Sequence, residues 1–168
     1  MVELHRMKAR GRLLTNWRVH AAIGLLIFAG WPAMGATRYG LFVGIDHYLP
    51  TYISPIYTLS SCVNDATGFR SKLLTDSTRW SSGNLTLMTE SAATKAAVRS
   101  ALAQLASAAV SGDTVVFYQS SHGGSNGGYD TFLCEYNATY QDYELAADLA
   151  LFRTGVSVIV VIDACNSA

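Results

Sequence analysis

Two residues of this chain have the types and placement for nucleophilic chemistry. Cys165 stands three residues beyond the β-branched run VSVIVVI at 156–162, with Asp163 and Ala164 between. His122 stands two residues beyond the run TVVFYQS at 114–120. A thiol attacks well only as the thiolate, and an imidazole within reach can take its proton and remain beside it as a stabilising cation. If the two runs are neighbouring strands, thiol and imidazole face each other across one sheet edge.

Both runs read as strands of a parallel sheet, and the 156–162 run is apolar enough to be buried on both faces. In open α/β sheets ligands bind at the carboxyl ends of the strands, where His122 and Cys165 would stand. The rest of the chain alternates strand and helix. Residues 39–45 (YGLFVGI) form the first strand, followed by a loop over 49–57 with Pro50 and Pro55. Ser60 or Ser61 caps a helix to about Leu74, with Cys62, Ala66, Phe69 and Leu73 on one face. Residues 84–88 form a second strand. Thr94 caps a helix whose inward stripe is Val98, Leu102, Leu105 and Ala109, ended by Gly112. After the 114–120 strand come a glycine-rich loop at 123–128, a short hairpin over 130–136 and a helix from Asp142 to about Phe152. This β-α-β-α-β order predicts a mainly parallel sheet with helices on both faces and right-handed crossovers.

At 168 residues, 50% hydrophobic and 14% charged, the chain is one compact domain or part of one. Five basic residues and one acidic residue fall in positions 1–20; from Arg38 onward there are 7 basic and 11 acidic, a net of −4. That body gives no reason to expect nucleic-acid binding. The basic start precedes an apolar stretch at 21–31 and small residues around Gly35 and Ala36. This reads as an export signal over residues 1–36, with an uncleaved anchor or a misplaced start codon as alternatives. Three cysteines, Cys62, Cys134 and Cys165, suggest neither a disulfide framework nor a zinc site. His47, after the first strand, has no evident partner.

Four motifs occur in order: Tyr39 to Tyr48 (YGLFVGIDHY), Leu59 to Ala66 (LSSCVNDA), Gln119 to Gly123 (QSSHG) and Asp163 to Ser167 (DACNS). Together they resemble the metacaspase branch of the caspase-fold cysteine peptidases, over roughly Arg38 to Ala168. The histidine precedes the cysteine by 43 residues, near the spacing of about 50 in caspases. The resemblance implies a caspase-like three-layer α/β sandwich, incomplete at the C-terminus because only the large-subunit half is matched. It implies Cys165 as nucleophile and His122 as general base and acid. The backbone N–H groups of Gly123 and Cys165 would form the oxyanion hole. Asp65 and Asp163 would line a pocket for an Arg or Lys side chain, so the substrate would be a peptide or protein cut after a basic residue.

The chain departs from that family in reading Asn166-Ser167-Ala168 where His-Ser-Gly is usual, and in carrying Ser121 where glycine is common. Asp142 and Glu144 match part of the acidic calcium site of many metacaspases, but the 123–128 loop lacks the acidic run, so no cofactor is expected. A separate small-subunit chain is a candidate partner. Simpler readings stand beside these: Cys165 as an inert buried thiol, Asp65 as a charge favourable at a helix start, and Asp163 as a turn cap. The alternative function is a non-catalytic caspase-fold fragment or interaction module.

Overall fold

The computed structural model describes residues 35–126 and 131–165. The predicted export leader, apart from Gly35 and Ala36, lies outside the described residues. So do the end of the glycine-rich loop and Asn166, Ser167 and Ala168. Four strands form a parallel sheet: β1 (Arg38–Gly44), β2 (Leu85–Thr89), β3 (Thr114–Ser120) and β7 (Ser157–Asp163), in the order β2-β1-β3-β7. Three shorter strands, β4 (Gly123–Ser125), β5 (Thr131–Cys134) and β6 (Thr139–Gln141), form an antiparallel sheet where the sequence suggested a single hairpin. The helices are α1 (Cys62–Leu74), α2 (Lys95–Ala108) and α3 (Asp142–Leu149).

Strand alternation divides the core between the two faces of the parallel sheet. Leu41 and Val43 of β1, Ile45 just beyond it and Phe117 of β3 pack with Val98 and Leu102 of α2, and with Leu133 and Tyr140 of the small sheet. Phe42 of β1 and Val116 and Tyr118 of β3 pack on the opposite face with Ala66 of α1. There the Phe69 ring stacks on Tyr118, with centroids 4.8 Å apart. The mixed α/β architecture, with helices on both faces, is the one the sequence predicts.

β7 is an edge strand rather than a buried one. It pairs with β3 alone among the described strands, and Ile159 and Val160 remain 48% and 40% exposed. Its β-branched composition suits an interior position, but nothing among the described residues covers its outer side.

Helix boundaries show where local rules gave way to tertiary contacts. Thr94 accepts from the Ala97 N–H and caps α2 as predicted. Ser61 flanks α1 without a side-chain cap bond. Instead the buried Asp46 carboxylate, 16 residues upstream, accepts from the N–H groups of Cys62 (2.9 Å) and Val63 (3.4 Å). α2 ends at Ala108, and Gly112 serves the turn beyond it with φ +97°. α3 starts after Gln141, whose N–H donates to Glu144 at 3.0 Å, and it ends at Leu149, short of Phe152.

Candidate active site

Three strands stop at one level. Gly44 of β1, Ser120 of β3 and Asp163 of β7 are side by side in the parallel register. His122 lies two residues beyond Ser120, and Cys165 two residues beyond Asp163. Equal steps from paired positions bring both to one edge. The Ser121 N–H donates to the Asp163 carbonyl at 3.3 Å, carrying the pairing one step past the strand ends. His122 and Cys165 then line one open cleft of about 450 Å³, together with Asp65 and Asp163.

A glycine clamps the two turns together. A Cβ on Gly123 would collide with the Cys165 carbonyl oxygen and sit 3.1 Å from the Ala164 Cβ. Glycine therefore permits the His122-Gly123 turn to lie directly against the Cys165 turn. A second glycine, Gly44, does the same for α1, since a Cβ there would meet the Val63 Cα at 2.8 Å. That close approach seats the start of α1, with Asp65 in its first turn, at the edge where His122 and Cys165 stand.

His122 is fixed at four points. Its backbone N–H donates to the Tyr48 hydroxyl at 2.7 Å, and that hydroxyl donates to the Ile45 carbonyl at 3.3 Å. Its carbonyl accepts from the Cys134 N–H at 2.8 Å and from the Ser121 hydroxyl at 2.9 Å. Its ring packs on the Tyr48 ring, with centroids 5.4 Å apart. Its Nε2 lies 2.6 Å from the Tyr57 carbonyl oxygen. A carbonyl only accepts, so Nε2 carries the proton and the neutral ring keeps its lone pair on Nδ1. Burial pushes the Tyr48 phenol above its ordinary range, which keeps it a hydroxyl at neutral pH.

The Tyr57 carbonyl is presented by a short 3₁₀ turn, Pro55–Tyr57, with Pro55 fixing its first position. The loop carrying it is tied down at Leu49, whose N–H donates to the Tyr136 carbonyl, and at Leu59, whose N–H donates to the Asp46 carbonyl.

Asp65 and Asp163 reach the cleft from facing elements. They also line an adjoining depression of about 460 Å³ with Phe69, Tyr118 and Lys72. Two carboxylates against one ammonium leave that region negative. The Ser120 hydroxyl lies 3.5 Å from Asp163 Oδ2. Cys165 is exposed, whereas Cys62 and Cys134 are buried, and burial raises both of those thiols above the ordinary cysteine range.

The two acids matched to a calcium site are held by neighbours in the protein. Asp142 accepts from the N–H groups of Tyr143 and Thr131. Glu144 pairs with Lys95 at 2.6 Å and Arg99 at 3.4 Å. Among the described residues no group of three or more His, Cys, Asp or Glu side chains is placed to hold a metal ion. His47, which had no evident partner, faces Glu90 at 3.0 Å.

Three contributors escaped the sequence. The Tyr57 carbonyl is a backbone atom that residue type does not mark. Tyr48 and Asp46 lie inside a recognised motif, but only the folded loop turns them toward His122 and α1.

Comparison with known proteins adds the following. The caspase domain family matches residues 37–168. The crystal structure of a protein from Geobacter sulfurreducens superposes with a TM-score of 0.69 at 26% identity, covering 79% of this chain and 51% of that one. The chain therefore spans about half the length of that structure. No curated protein matches.

Proposed function

The chain belongs to the caspase-domain family of cysteine peptidases, and on that premise we propose that it is a metacaspase-type endopeptidase cutting after Arg or Lys. The observation that carries this reading is the shared strand edge: Cys165 and His122 face one cleft, with the imidazole fixed as the Nε2–H tautomer by the Tyr57 carbonyl.

The chemistry follows from those groups. His122 Nδ1 takes the Cys165 thiol proton, and the thiolate adds to the scissile carbonyl carbon. The oxyanion that forms is met by the backbone N–H groups of Gly123 and Cys165. The intermediate collapses with cleavage of the C–N bond, and the proton on Nδ1 passes to the departing amine. The product is a thioester on Cys165. Water, deprotonated by His122, adds to that thioester; the C–S bond breaks, releasing a carboxylic acid and restoring the thiol. Asp65 and Asp163 receive the basic side chain before the cut bond, and Asp163 supplies a charge-assisted contact.

Hydrolysis of fluorogenic peptides by the full chain tests this. Arg- and Lys-terminated peptides should be cleaved and Asp-terminated ones ignored. Cys165→Ala should abolish turnover. Asp163→Asn should raise KM for the Arg peptide roughly tenfold, the worth of one hydrogen bond to a charged group. Equal cleavage of Asp-terminated peptides would sink the specificity.

The open outer edge of β7 favours a second reading, a caspase-fold module without turnover of its own. In that case activity should appear only when a strand-bearing small-subunit segment is supplied in trans. Export through residues 1–36 belongs to the same proposal. N-terminal sequencing of secreted protein should then begin at Ala36 or Thr37.

A further inference from the structure

Behind His122 lies a buried polar group that the proposed chemistry does not use. Glu135, one residue past β5, is completely buried, and neither carboxyl oxygen has a hydrogen-bond partner. The Gln119 carboxamide of β3 faces it, where an N–H bond favours the charged form against the larger push of burial toward the neutral one. Gln119 is also completely buried, and its Oε1 is likewise without a partner. A buried polar atom left unpaired is costly, and here the unpaired atoms belong to facing side chains. A neutral carboxyl resolves the mismatch, since its O–H can donate to Gln119 Oε1.

From Gln119 the bonds run onward in one direction. Its Nε2 donates to the Ser121 hydroxyl at 3.1 Å, and that hydroxyl donates to the His122 carbonyl at 2.9 Å. The His122 carbonyl and the Gly123 N–H belong to one planar peptide unit, so aiming one aims the other. The register places that N–H well. Gly123 opposes Leu133, and the Cys134 N–H donates to the His122 carbonyl, which makes Gly123–Leu133 a non-hydrogen-bonded pair. The Gly123 N–H therefore points away from β5.

We propose that Glu135, as a neutral acid, is a positioning residue that acts through Gln119 and Ser121 to orient the His122-Gly123 peptide and with it the Gly123 N–H as an oxyanion donor. The inference rests on the peptidase reading for its consequence, but the bonded chain stands independently of it. Ionisation reverses the chain. A carboxylate only accepts, and Gln119 answers it by turning its NH₂ toward Glu135, a bond that favours the charged form. Its carbonyl then draws the Ser121 hydroxyl, and the His122 carbonyl keeps the Cys134 N–H alone.

The groups around Glu135 fit a neutral acid. Lys95 of α2 is the cation that acts on it, and Lys95 is already paired with Glu144. Tyr48 and Tyr52 from the loop after β1, Cys134 of β5 and Tyr140 of β6 are all raised by burial and so remain uncharged. Burial likewise raises the Glu135 carboxyl to about 8.

The sequence contains a single His-Gly pair, so labelling with ¹³C-carbonyl histidine and ¹⁵N-glycine isolates the Gly123 amide signal. In the full chain carrying Cys165→Ala, that signal should shift with a midpoint near pH 8, matched by loss of a protonated-carboxyl infrared band. Glu135→Gln should remove both changes. Ser121→Ala should keep the infrared transition and lose the amide shift. In the enzyme with Cys165 intact, kcat/KM should fall about tenfold across the same transition, a fraction of the effect of losing a whole oxyanion donor, and should stay level in Glu135→Gln. An amide titration identical in Glu135→Gln and the parent would overturn the proposal, as would one that survives Ser121→Ala. An amide titration in a protein that cleaves no peptide would support the bonded chain and refute the peptidase reading instead.

Discussion

His122 is immobilised by backbone and ring contacts, and Tyr48 supplies two of them. Tyr48→Phe keeps the ring but strands the His122 N–H and the Ile45 carbonyl. Leaving such groups unpaired costs about 1–3 kcal/mol, which denaturant unfolding would measure. On the peptidase reading kcat should fall while KM changes little, because the imidazole loses its aim and the substrate pocket is untouched. Glu135 makes a separate stability prediction. Its carboxyl is raised by burial from 4.5 to about 8, so between those values the unfolded chain loses a proton that the folded chain keeps. Stability from this group is fully present below pH 4.5, declines as pH rises and levels off beyond about 8. The decline is at most about 1.4 kcal/mol per pH unit. Thermal unfolding of Glu135→Gln across pH 5–9 should show that slope removed.

At the scale of elements, period-two and period-3.6 patterns were legible because they report burial directly. The four strands of the parallel sheet and the α2 stripe came out within a residue or two, β4 and β6 did not, and the placement of His122 and Cys165 at one edge was legible because each follows a strand end by the same count. The caps were less legible. A serine before an apolar stripe is a good local candidate, but α1 is capped by Asp46 from the end of β1, and no local rule looks 16 residues back. Asp46→Ala should therefore cost about 1–2 kcal/mol, whereas Ser61→Ala should be nearly neutral. On the peptidase reading, because α1 also carries Asp65, loss of the Asp46 cap should weaken the discrimination between Arg- and Asp-terminated peptides. The Glu135 network was illegible for another reason: an acid in a short strand looks solvent-facing until the small sheet closes over it.

For the molecule as a whole, the exposed edge of β7 sets the behaviour in solution. Among the described residues β7 pairs with β3 alone, and its outer edge, with Ile159 and Val160 exposed, is a template for another strand. The 37–168 polypeptide should self-associate in light scattering, and Val160→Lys should shift it toward monomer. A monodisperse unmodified protein would contradict this. The shared stopping level of β1, β3 and β7 has a further consequence, for how the chain can change its length. Between Leu149 and Ser157, added residues are absorbed by the connection and leave the register alone. One residue added between Ser120 and His122, or between Asp163 and Cys165, makes the two overhangs unequal and separates the His122 and Cys165 positions by a step of about 3.3 Å. The chain can thus drift in length in the connection leading into β7, provided two spacers stay at a single residue each: Ser121 and Ala164.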